Sequence, residues 1–121
     1  MKAEEVRIAV LSAMGWKNLR MHLDTYQGGP FDYLIGEHPN YGTRPPDPTT
    51  DERHAFQAVE WMRKTHGVTT MINIYSDGEV NVVFANKDGY GSSNQPSPDK
   101  LPLAISEAFC KACGIYVEGQ A

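Results

Sequence analysis

Two apolar, β-branched runs, residues 68–75 and 79–86, flank Asp77-Gly78 and constrain this chain more than any other feature. Asp-Gly tolerates the positive φ angles of a two-residue type I′ turn, so the runs predict an antiparallel hairpin. With that turn Ser76 faces Glu79 and Tyr75 faces Val80. One sheet face then carries Met71, Asn73 and Tyr75 with Val80, Val82 and Phe84. The opposite face carries Thr70, Ile72 and Ile74 with Asn81, Val83 and Ala85. Both faces are substantially apolar, whereas a solvated face would be mostly polar. The expectation is a hairpin covered on both sides.

Helices are expected around it. In residues 3–14, Val6, Ala9, Val10, Ala13 and Met14 recur at spacings of three and four, and Gly15 supplies the stop. Ile8 and Leu11 fall off that stripe, beside Glu4 and Arg7. Either they pack under a loop or they meet a second subunit, which makes them the candidate oligomer interface. Residues 17–23 alternate, with Leu19, Met21 and Leu23 on one side, and predict a half-buried strand. A second helix begins at Thr49-Thr50-Asp51-Glu52, where Thr49 and Glu52 fit a capping box. Phe56, Val59 and Met62 form its expected buried edge, with Ala55, Ala58 and Trp61 nearby, and Gly67 ends it. A third helix is expected from Pro102 to Cys113, with a stripe of Leu101, Ala104, Ile105, Ala108, Phe109 and Ala112 and a C-terminal Gly114. Ile115 to Val117 reads as a short edge strand or a docked tail.

The chain holds eleven glycines and eight prolines in 121 residues. Seven of the prolines and six of the glycines fall in residues 24–48 and 87–99, which therefore read as two long irregular loops. The segment 31–35 predicts a short strand inside the first. Long irregular segments in small domains are often functional. The length suits one domain, residues 1–121, able to bury its own core. The expected class is α+β: three helices and a small antiparallel sheet between helical layers, an α/β/α sandwich.

A net charge of −4 argues against general nucleic-acid binding, although a few arginines can still meet one phosphate. No signal-peptide pattern opens the chain and no apolar run is long enough for a membrane span. The expectation is a cytoplasmic protein without membrane contact.

Catalytic constellations are sparse. Cys110 and Cys113 sit one turn apart at the wrong end of a helix for a redox pair, and no further Cys pair completes a zinc site. The expected reading is inert thiols, no metal and no cofactor. His22, His38, His54 and His66 are scattered, and His66 near a helix C-terminus is explained as a charge that suits the dipole. The acid pairs Glu4/Glu5 and Asp51/Glu52 each sit in a first helical turn, where the dipole accounts for them. The segment Gly89 to Asn94 follows a strand and has the composition of a phosphate cradle, without a P-loop lysine or an immediate helix. Aromatic and arginine residues are richer. Tyr26, Phe31, Tyr33, Tyr41 and Arg44 crowd the first loop, and Trp16, Arg20 and Tyr90 fall near strand ends. Such residues carry binding hot spots, and rings with guanidinium also suit nucleotides; alternatively, these aromatics pin a long loop to the domain. Trp16, Arg20, Tyr33, Tyr41, Arg44, Tyr90 and Asn94 are the candidate binding residues, with no catalytic residue assigned.

Four motifs in order resemble the phage ABA sandwich family of small phage and prophage proteins. They are Met14-Gly15-Trp16, Pro48-Thr49-Thr50-Asp51, the run from Ala55 to Met62, and Leu101 to Ala108. In the last, Ser106 stands where family members commonly carry Cys. The resemblance implies a small sheet between helical layers and transfers no catalytic position. It also implies a phage or prophage accessory protein in the cytoplasm of an infected bacterial host. Together with the binding residues, it sets the expectation of a non-enzymatic protein acting by binding in counter-defence. Its partner would be a host defence protein or a small nucleotide ligand. The alternatives are an enzyme processing nucleotides or phosphoesters, with His54 or His38 and residues 89–94, and a phage structural or assembly component.

Overall fold

The structure, a computed structural model, describes residues 2–24, 31–40, 42–85 and 90–114. The element order is α1 (Ala3–Ala13), β1 (Lys17–Asp24), β2 (Phe31–Glu37), α2 (Glu52–His66), β3 (Thr69–Ile74), β4 (Val80–Ala85), β5 (Tyr90–Gln95), a 3-10 turn (Pro98–Lys100) and α3 (Leu101–Ala112). The class is α+β, with a two-stranded antiparallel ribbon β1-β2 and a three-stranded antiparallel sheet β3-β4-β5.

Helix α3 is the hub. Nine of its twelve residues, from Leu101 to Cys110, are buried, because it packs on β4 and β5 as well as on α1 and α2. Gly91 permits the closest approach. A Cβ there would lie 2.4 Å from the Ala108 carbonyl oxygen, so only glycine lets the helix backbone rest on β5. A line of rings crosses the core: Trp61 of α2 lies 5.7 Å from Phe109 of α3, which meets Phe84 of β4 edge to face at 6.3 Å. Buried Glu107 joins α3 to β5, accepting hydrogen bonds from Ser93 Oγ (3.2 Å) and Gln95 Nε2. A second, smaller core of Leu11, Trp16 and Leu34 seats the ribbon on α1.

The hairpin is where expected, but its register is shifted by one residue. Ile74 pairs with Val80, and Tyr75 with Glu79 closes a three-residue loop, Ser76 to Gly78. The Asp77 carboxylate accepts the Glu79 N–H (2.9 Å), and Gly78 alone takes a positive φ, +93°. This is a type I turn followed by a left-handed glycine rather than a type I′ turn. A one-residue slip exchanges the faces. Thr70 and Ile72 turn to the core with Val80, Val82 and Phe84, whereas Met71 and Asn73 turn to solvent.

The sheet therefore rests on α3 by one face, and no described helix covers the other. That outer face carries a row of amides. Asn73 Nδ2 donates to Asn81 Oδ1 (3.2 Å), and Asn81 Nδ2 donates to Asn94 Oδ1 (2.8 Å).

Other expectations need correction. Strand β2 spans 31–37, two residues longer than the short strand expected at 31–35, whereas most of the described part of 87–99, expected as loop, is β5. Asp51, not Thr49, caps α2 by accepting the His54 N–H (3.2 Å), while Thr49 bonds to Asp47. Phe56 is exposed; Ala55, Ala58 and Met62 make the buried edge of α2. Leu11 is fully buried in the smaller core, so it packs under the ribbon and offers nothing to a second subunit. Ile115 to Val117 lies outside the described residues. Gly67 ends α2 in the left-handed region as expected, with φ +65°.

Candidate functional site

The Pro-rich segment 45–48 is a strap that binds all three helices. Arg7 of α1 donates to the carbonyls of Pro46 and Pro45 through Nε and Nη2, each at 3.1 Å. The Asp47 N–H donates to His54 Nδ1 of α2 (2.9 Å), and Ser106 Oγ of α3 donates to the Pro48 carbonyl (2.7 Å). Proline makes this possible: a stretch with few N–H donors leaves carbonyls turned outward for side chains to use. Ser106 thus has a structural task.

Asp47 is held from several sides. Partial burial pushes its pKa up, but hydrogen bonds from the Thr49 and Thr50 hydroxyls and the Thr49 N–H, with the charge of the Arg7 guanidinium, outweigh it. The net effect is a pKa below the ordinary aspartate value.

Between the strap, α1 and the ribbon lies a groove of about 310 Å³, near the lower end of the range for ligand sites. Ile8, Met21, Leu34 and Tyr33 supply its apolar lining, and Glu4, Arg7 and Arg44 its charges. The Arg44 guanidinium carbon stands 4.1 Å from the centroid of the Tyr33 ring. A guanidinium over a ring face is attracted by the ring quadrupole while its N–H donors stay in the plane of the group. The groove can therefore take an apolar or planar body with an anionic group beside Arg44. Arg7 is committed to the strap and also faces Asp47 at 3.8 Å, so Arg44 is the cation for an incoming anion.

Of the sequence-predicted residues, the structure brings Ile8, Tyr33 and Arg44 together here. It sends the others elsewhere. Trp16 is 3% exposed, packed in the smaller core and 5.3 Å from the His38 ring, so its face is not open to a ligand. Arg20 is exposed on β1, where its Nη1 donates to the Asn18 carbonyl (2.7 Å) at a bulge whose Asn18 has φ +54°. Tyr90 and Asn94 lie on the outer face of the three-stranded sheet. Tyr41 lies outside the described residues. Sequence reasoning missed Met21, Arg7 and Pro45. The one signal available was the helical wheel of α1, which placed Glu4 and Arg7 beside Ile8.

His38 and His54 are built into the frame. His38 lies 3.2 Å from the Met14 carbonyl through Nε2 and accepts the Asn40 N–H through Nδ1 (3.0 Å). His54 accepts the strap N–H through Nδ1. It also borders an open depression of about 350 Å³ on the far side of Arg44 and Pro45. Residues 90–94 belong to β5, so backbone groups of the supposed phosphate cradle are used in the pairing with β4. Cys110 is buried, and burial first, then the Cys113 and Glu107 charges, push its thiol up to about 12. Among the described residues no group of three His, Cys, Asp or Glu is placed to hold a metal ion, and no helix is long and apolar enough to cross a membrane.

Comparison with family models, with curated proteins and with solved structures finds no match.

Proposed function

We propose that this chain is a phage or prophage accessory protein that works by binding in the cytoplasm of an infected bacterial host. Its target in this reading is a host defence protein or a nucleotide-type signal, whose anionic group enters the groove beside Arg44. The observation that carries the proposal is the Arg44 guanidinium held over the Tyr33 ring at the groove, next to an apolar lining. The order of the family-like motifs supports the phage setting.

Co-purification from an infected host, with mass spectrometry of retained proteins and small molecules, tests it. A retained partner is expected, and Arg44→Ala should weaken its binding by roughly tenfold or more, the loss of one charge-assisted hydrogen bond. The melting temperature should not fall, because Arg44 is exposed and the strap is held by Arg7, His54 and Ser106. If nothing is retained and deletion leaves phage growth on defended hosts unchanged, the proposal fails. Turnover of a nucleotide panel that His54→Ala abolishes would replace it with an enzyme.

A further inference from the structure

Strand β3 is an edge, since among the described residues it pairs with β4 alone. The phase of its backbone groups follows from the loop. The Tyr75 N–H donates to the Glu79 carbonyl (2.8 Å), so Tyr75, Asn73 and Met71 face β4 with their backbone groups. The N–H and C=O of Thr70, Ile72 and Ile74 consequently point away from the sheet. Edges of this kind are normally blunted by lysine, proline or a bulge. The ribbon follows that rule, with Lys17 and Arg20 on β1 and Glu37 on β2. Strand β3, Thr-Thr-Met-Ile-Asn-Ile, carries no charge, no proline and no glycine, and its pairing with β4 is regular throughout. Met71, Ile74 and the adjoining Tyr75 are 53%, 58% and 51% exposed.

We infer that β3 pairs antiparallel with β3 of a second copy about a two-fold axis at Ile72, joining two three-stranded sheets into one of six strands. This register places Thr70 opposite the second copy's Ile74, Met71 opposite its Asn73, and Ile72 opposite itself. Every outward N–H and C=O of Thr70, Ile72 and Ile74 then finds a partner. Residues of one face stay on that face, because paired positions share parity. Local charge favours a copy of the same chain: this register carries the Asp77 and Glu79 end of each hairpin towards the start of the other copy's β3, which follows the basic last turn of α2 with Arg63, Lys64 and His66, while the strand itself sets no like charges opposite one another. The inference stands apart from the groove, which lies on the ribbon side of α1, so either can fail without the other.

Light scattering over a micromolar to millimolar series, with amide hydrogen exchange at both ends, tests it. Expected is a rise in mass from 13.5 kDa towards twice that value, with the Thr70, Ile72 and Ile74 amides slowing as the mass rises. Ile74→Pro removes an outward donor at an edge position that tolerates proline and should keep the chain at single mass with an unchanged circular dichroism spectrum. Met71→Lys, on the exposed face, sets like charges across the axis and should also hold the chain at single mass. It serves if the proline variant does not fold. A single mass for the wild type at all concentrations overturns the inference, as does a dimer that survives both substitutions. Protection of the three amides at every concentration, lost on removing residues 115–121, would identify the tail as the occupant and also overturn it.

Discussion

Cys110 of α3 and Cys113 at its C-terminal cap lie one turn apart and differ in exposure, although burial pushes both thiols up. Cys110 is fully buried with Sγ 4.0 Å from the Val6 carbonyl, and its pKa is pushed up to about 12, while Cys113 is on the surface. A thiolate is the reacting form, so a disulfide reagent should label one thiol in the native protein and the second only after denaturation. Equal labelling rates would show that the α3 core opens readily. Thr70 offers the opposite kind of test. Among the described residues its buried hydroxyl finds no hydrogen-bond partner, which penalises the folded state. Thr70→Val keeps the branched shape and removes the orphaned hydroxyl, so unfolding free energy should rise by about 1 kcal/mol in urea titrations at low protein concentration. Unchanged or lower stability would mean that the hydroxyl is satisfied in solution. Neither environment was visible in the sequence: a Thr in a strand and a Cys-x-x-Cys on a helix look the same whether buried, satisfied or exposed.

At the scale of elements, the helices and four strands were legible and one strand, β5, was not. Helical stripes and stops are local signals. Val6, Val10, Ala58, Met62, Ile105 and Phe109 are buried as the spacing requires, and Gly67 and Gly114 both take positive φ. Strand β5, Tyr-Gly-Ser-Ser-Asn-Gln, has almost no intrinsic preference for extended structure. Its neighbours impose the pairing: β4 on one edge, α3 pressed onto Gly91, and Glu107 holding Ser93 and Gln95. The hairpin loop was half legible, because Asp-Gly serves both two-residue and three-residue loops. The deciding bond, Asp77 carboxylate to Glu79 N–H, involves a side chain that a turn motif does not specify. If α3 does hold β5 in place, Gly91→Ala should be severe: the added carbon meets helix backbone, not a pliable side chain. A loss of about 3 kcal/mol is expected in chemical denaturation, at the upper end for overpacking. A loss near that of an ordinary exposed Gly→Ala change would show that α3 rides higher on the sheet than the structure places it.

For the whole molecule, the strap decides most, and it was the least legible feature. The prolines marked an irregular segment, but its partners are Arg7, 39 residues earlier, and Ser106, 58 residues later. No local pattern carries such pairings. Their consequence for the candidate site is direct. Among the described residues the segment 45–48 is pinned by proline carbonyls and by Asp47, and Tyr33 and Arg44 line the groove beside it. Because the strap joins α1, α2 and α3, its ionic part should appear in the pH dependence of global unfolding. Asp47 has its pKa lowered in the fold, so the native state holds that proton less tightly than the unfolded chain. The stabilisation is therefore full above the unfolded value of 3.8 and is lost as pH falls through the lowered native value. Urea midpoints should drop on the acid side in wild type. Asp47→Asn keeps one acceptor for the Thr49 hydroxyl but cannot titrate, so it should be less stable near neutrality and should converge on wild type in acid. Arg7→Gln should narrow its deficit over the same acid range, because the Arg7 charge acts on Asp47 only while that carboxylate is ionised, but should stay below wild type in acid, because it also gives up the bonds to the Pro45 and Pro46 carbonyls. Parallel acid limbs for all three proteins would mean that Asp47 is not what couples the strap to the fold, leaving the proline carbonyls and Ser106 to hold the three helices together.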